Sequence, residues 1–146
     1  MKVALVHYWL VGMRGGEKVL ETFCDIFPDA DIFTLVADPD KLSPQLKRHK
    51  LTTSFLQKIG GRKHYQKMLP LMPYALEALD LTGYDLVISS EAGPAKGVIT
   101  RPDALHVCYC HSPMRYIWDL YPQYQAESGF LARTILSLTA PLLRQW

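Results

Sequence analysis

Four short apolar runs constrain the fold most. Residues 2–7 (KVALVH), 31–36 (DIFTLV), 83–90 (GYDLVISS) and 104–110 (ALHVCYC) are rich in Val, Ile and Leu and are bounded by polar, Gly or Pro residues. Near-continuous apolar runs of this length fit parallel strands buried on both faces better than half-exposed ones. Between the first two, residues 16–27 (GEKVLETFCDIF) place Val19, Leu20, Phe23, Ile26 and Phe27 on one side at helical spacing. Glu17, Lys18, Glu21 and Asp25 then face water, and Pro28-Asp29 ends the helix. A strand, a helix and a second strand make a β-loop-α-β unit with a right-handed crossover.

The remaining segments continue the alternation. Ser43-Pro44 reads as a helix start, with Ser as N-cap and Pro in the first turn. Residues 50–53 read as a short strand and 54–59 as a small helix stopped by Gly60-Gly61. Residues 62–79 are expected to be helical with breaks at Pro70 and Pro73, and Pro94–Val98 opens a short helix. Met114–Leu120 and Phe130–Arg144 read as two more helices. The expected fold is α/β: a Rossmann-like parallel sheet with helices on both faces. In such sheets ligands sit at the carboxyl ends of the strands. That places Tyr8–Gly16, Ala37-Asp38, Ser89–Lys96 and His111–Arg115 at the binding edge.

At 146 residues, the span 1–146 fits one domain, and a hydrophobic content of 49% excludes a disordered chain. No apolar run reaches the roughly 18 residues of a membrane span. MKVALVHYWLV lacks a cleavage site for a signal peptide, so a cytoplasmic chain is expected. Cys24, Cys108 and Cys110 are odd in number and suggest no disulfide framework.

Two places at the binding edge carry chemistry. Gly12, Gly15 and Gly16 follow the first strand and open the first helix. Glycine permits close backbone approach, the helix start offers free N–H groups, and Arg14 adds a contact for phosphate. A tight turn that needs glycine only for its geometry fits the same spacing. His111, after the fourth strand, can hydrogen-bond a sugar hydroxyl or a phosphate, or be satisfied locally. Ser112 is a candidate N-cap, and Arg115 either binds an anion or pairs with a nearby acid. Tyr8, Trp9, Glu91 and Lys96 are cleft candidates by position, and Glu91, Asp38 or Asp119 is a candidate base. Cys-x-Cys-His lacks a second ligand pair, so buried thiols in a strand are expected and no metal is.

Charge is unevenly spread. From Lys41 to Leu76 there are eight of the sixteen basic residues and none of the fourteen acids. They are Lys41, Lys47, Arg48, Lys50, Lys58, Arg62, Lys63 and Lys67, interleaved with Leu46, Leu51, Phe55, Leu56, Ile59, Tyr65, Met68 and Leu69. A basic, partly apolar face fits an anionic membrane surface or a phosphorylated lipid, and equally an ordinary solvated surface. Nucleic acid is not expected, since no binding motif accompanies a net charge of +2.

VHYWLVGMRGGEKVLE, DIFTL, TSFLQ, YDLVISS, AKGV and HVCYCHSPMRYIWD, in that order, resemble the N-terminal domain of family 4 glycosyltransferases over nearly the whole chain. The resemblance implies one half of a GT-B architecture, in which two Rossmann-like domains face across a cleft. It implies a retaining transfer from a nucleotide-sugar donor to a lipid-linked or polysaccharide acceptor, usually without a metal or other cofactor. It places Gly15 and Gly16 near the donor phosphates and sugar, and His111 near the sugar. It also implies peripheral attachment at the inner membrane face. Relatives tend to carry Asp where Tyr8 stands and a small polar pair where Ala92-Gly93-Pro94 stands, so acceptor contacts there do not carry over. The sequence stops at PLLRQW inside a helix without a stop signal. A truncated chain lacking the donor domain is therefore expected, inactive alone, with either a dimer through the cut helix around Leu142, Leu143 and Trp146 or a disordered tail. A stand-alone binding or regulatory module, or a flavodoxin-like phosphate binder, is the alternative.

Overall fold

The four expected strands form, together with the short one near residue 50. They are β1 (Val3–Leu10), β2 (Asp31–Ala37), β3 (Leu51–Thr53), β4 (Leu86–Ser90) and β5 (Leu105–Tyr109). A computed structural model describes residues 1–91 and 93–146; Ala92 lies outside the described residues. All strand pairs are parallel, in the order β3-β2-β1-β4-β5. The chain is thus an α/β protein with a Rossmann-like sheet. It runs outward from β1 to β3 and then returns to β4, so the carboxyl ends of β1 and β4 flank the topological switch point.

Both faces of the central strands are covered. Ala4, Val6, Phe33, Leu35 and Val87 pack with Leu56 and with Met72, Ala75 and Leu76 of α3 (Met72–Glu77). Val3, Leu5, Ile32, Leu86 and Ile88 pack with Leu20 and Cys24 of α1 (Gly15–Ile26). Two positions in α1 differ from expectation. Ile26 is 60% exposed, with Cys24 taking the inner position, and Glu17 is buried rather than wet.

Several local expectations are corrected. The strand expected to end at His7 continues to Leu10, because Trp9 and Leu10 pair with Val36 and Ala37. The expected 54–59 helix is a single 3-10 turn, Phe55–Gln57, whose N-cap Ser54 accepts from Leu56 N. Gly60-Gly61 stops that turn but also starts α2 (Gly61–His64), with Gly60 at φ 88°. A Cβ on Gly61 would stand 2.4 Å from Leu56 O, so backbone packing demands glycine there. The expected 62–79 helix is split into α2, a 3-10 stretch at Tyr65–Leu71 containing Pro70, and α3. Pro73 does not break a helix but sits in the first turn of α3, where its missing N–H is harmless.

β5 departs most. Leu105, Val107, Tyr109, Cys108 and Cys110 are exposed, so the expected burial of the two thiols is corrected. The strand lies at the sheet edge with β4 as its one pairing partner in the sheet.

The chain divides into two compact units, Met1–His111 and Ser112–Trp146. In the second, the expected Met114–Leu120 helix is a run of turns held by bonds such as Ile117 N to Met114 O. Helix begins instead at α4 (Tyr121–Glu127), where Pro122 fits the first turn. α5 (Phe130–Gln145) follows, and Arg144 Nε donates to Ile117 O at 2.6 Å while its guanidinium lies over Tyr121. Phe130, Leu131, Ile135, Leu138 and Leu142 of α5 are exposed. Among the described residues, no helix is long and apolar enough to cross a membrane.

Candidate functional site at the switch point

β1 delivers His7, Tyr8 and Trp9 to the carboxyl edge of the sheet, and the chain then turns through Gly12–Gly16 into α1. The first N–H groups of a helix have no intrahelical acceptors. Glu17 takes up one neighbouring donor: its carboxylate accepts from Arg14 N at 3.0 Å. This explains its burial, because it closes the helix start from inside. The signal was legible as a Glu three residues after the N-cap.

His7 lies beneath the turn. It is 1% exposed, and its Nδ1 is 2.5 Å from Ser90 O, at the end of β4. A carbonyl only accepts, so Nδ1 carries the proton and the neutral ring leaves Nε2 as a lone-pair acceptor. Burial pushes the His7 pKa down to about 4; the Ser90 bond opposes this and His111 adds to it. Nε2 has no hydrogen-bond partner among the described residues. The same Ser90 reaches His111, the histidine that was expected, with Oγ 3.2 Å from His111 Nε2. Ser90 thus links a histidine on β1 to one following β5, across the switch point. Sequence reasoning singled out His111 and missed His7. The available signal was a histidine near the end of a buried strand, just before a glycine turn.

Buried acids flank this centre. Glu91 accepts from Ala95 N at 3.0 Å and is 4% exposed. The Tyr8 hydroxyl is pushed up to about 12, by burial first and then by the charges of Glu91 and Glu17, against a smaller pull from Arg14. Tyr8, Glu91, Glu17 and Arg14 therefore share one electrostatic neighbourhood. Arg14 itself is exposed. Trp9 is half-buried and packs against Tyr65, ring centroids 4.7 Å apart.

Lys96 is exposed in the 3-10 turn Pro94–Gly97. Arg115 belongs to the second unit and pairs with Asp119 at 3.1 Å. Lys47, Arg48, Lys50, Lys58, Lys63 and Lys67 are exposed. Arg62 is also exposed but engaged: it meets Asp38 at 2.5 Å and Asp40 at 3.1 Å. Burial works against the Asp38 carboxylate, yet bonds from Lys41 and Arg62 hold it below the usual carboxylate range. Asp38 thereby ties Arg62 at the start of α2 to the end of β2. Among the described residues, no three His, Cys, Asp or Glu are grouped to hold a metal.

No family model matches the chain, and no curated protein matches it. Among solved structures it is similar to the apo form of the lipopolysaccharide outer core galactosyltransferase WaaB. The identity is 19% and the TM-score 0.34, over 61% of this chain and 26% of that one. The chain thus spans about a quarter of that neighbour's length. So slight a likeness carries no argument, and the α/β assignment rests on the sheet described above.

Proposed function

We propose that this chain is the acceptor-side domain of a retaining glycosyltransferase that moves a sugar from a nucleotide-sugar donor to a lipid-linked or polysaccharide acceptor. One observation carries the reading: the glycine turn at the start of α1 and His111 converge on the switch point, joined through Ser90 to His7. The motif resemblance supports it. In this reading the N–H groups of the first α1 turn face charge on a leaving diphosphate, and His111 orients the sugar. Tyr8, Trp9 and Glu91 border the acceptor, and a second domain holds the nucleotide. No resident metal or cofactor takes part. The exposed lysines and Arg48 between residues 47 and 67 face an anionic membrane surface at the inner face, and the apolar side of α5 pairs two copies.

The test is to express the whole natural reading frame containing these residues and assay it with a panel of nucleotide sugars and lipid-linked acceptors. Turnover is expected with one donor, about a hundredfold lower in His111→Ala, and absent from the 146-residue chain alone. Turnover unaffected by His111→Ala, or no turnover with any donor, would overturn the reading.

A further inference from the structure

We propose that His7 Nε2 and the first turn of α1 form a subsite that reads a ligand hydroxyl, with Nε2 as its acceptor. The inference rests on the glycine turn being a ligand loop, as proposed above. The ring is fixed in role: Nδ1 is committed to Ser90 O, so neutral His7 offers only a lone pair at Nε2. That atom is buried and meets no partner among the described residues. Native proteins rarely leave a buried polar atom unpaired, and the exceptions call for a reason.

The turn above it supplies a second, independent observation. A Cβ on Gly16 would stand 3.2 Å from His7 Cε1 and 3.7 Å from Nε2. The unpaired edge of the ring therefore lies against the first turn of α1, and His7 accounts for glycine at 16. Gly12 and Gly15 are different. A Cβ on either would meet nothing within 4 Å, and neither has a positive φ. Among the described residues nothing packs where a Cβ on either would stand, which leaves room for a ligand to approach the backbone closely.

The two halves of the subsite ask for opposite partners. The helix-start N–H groups and Arg14 suit acceptor oxygens such as those of phosphate. A lone pair at Nε2 repels such an oxygen and needs a donor. The buried Glu17 carboxylate also limits how much anionic charge this turn accepts. A ligand satisfying both carries a phosphate and a free hydroxyl: a phosphorylated sugar or polyol. At Gly15–Gly16 no side chain stands between a ligand on the turn and the His7 ring.

The test is a nitrogen-15 NMR titration of the 146-residue chain with inorganic phosphate and, separately, with glucose 1-phosphate up to millimolar concentration. Both probes are expected to move the Gly15 and Gly16 amide signals, and only glucose 1-phosphate the His7 Nε2 signal. His7→Phe, which keeps a ring but no acceptor, is expected to bind glucose 1-phosphate about tenfold more weakly and phosphate equally well. Amide shifts with a silent Nε2 would overturn the hydroxyl subsite and leave the ligand loop standing. An Nε2 response to phosphate alone of the same size would also overturn it. Silence of both signals would overturn the loop reading as well. Should His7→Phe not fold, the wild-type titration decides by itself.

Discussion

β1 and β5 are written in similar residues and are treated oppositely by the fold. KVALVH and ALHVCYC are both short apolar runs with a histidine, and both strands pair in parallel with β4. In β1, Val3 through His7 are buried. In β5, Leu105, Val107 and Tyr109 are 62%, 45% and 49% exposed. β1 has a strand on each side and core residues packed on both faces, whereas β5 is at the sheet edge. An apolar run therefore reports that a segment is extended. How deeply it is buried depends on how many neighbours the topology gives it.

The largest expected effect tests this difference directly. Leu5 is fully buried, so Leu5→Ala removes packed methyl groups and leaves a cavity, a loss of roughly 2–5 kcal/mol. Val107→Ala on β5 is expected to change stability by no more than about 0.5 kcal/mol, as for other exposed sites. Urea denaturation of the two variants measures both. Similar losses would mean that β5 is covered in solution and would break the comparison.

The same contrast explains what the sequence made legible. The sheet, its parallel sense and the β1–α1 unit follow from local patterns: apolar run, turn, helical stripe. Elements fixed by distant contacts did not follow. Arg62 looked like part of a free basic face until the fold set it against Asp38, 24 residues away. At the site, Gly15, Gly16 and His111 were marked by position after their strands. His7 was not, because its partner Ser90 is 83 residues away and no local pattern announces that bond. The run of turns before α4 was read one segment early, because helical spacing does not show where Pro122 restarts the helix.

The second effect concerns the two strand histidines. Burial, helped by His111 and opposed by the Ser90 bond, takes His7 down to about 4. His106 on β5, half-buried, is lowered by burial alone. In both cases the unfolded chain binds protons that the folded chain refuses, so stability rises with pH through this window. For His7 the contribution is complete above the ordinary value near 6.5 and is lost as pH falls toward about 4, on the order of 3 kcal/mol in all. Stability measured from pH 7 to pH 4 should therefore depend much less on pH in His7→Phe than in the wild type. His106→Phe should flatten the curve by a smaller amount. If His106→Phe flattens it as much, the two strands are not buried as differently as described.

The smallest effect leaves stability untouched and reads exposure alone. Cys24 is buried in α1, and burial, with Asp25 and Glu21 adding their charges, pushes its thiol up to about 12. Cys108 and Cys110 are exposed at the β5 edge. Since the thiolate is the reacting species, an aromatic disulfide reagent at pH 8 should label two thiols of the folded chain promptly, and the third only after denaturant is added. Mass mapping should place the fast labels at Cys108 and Cys110. Prompt labelling of all three would mean that α1 does not stay packed on the sheet. Protection of the β5 pair would mean that something covers that edge, and β5 would then have to be regrouped with β1.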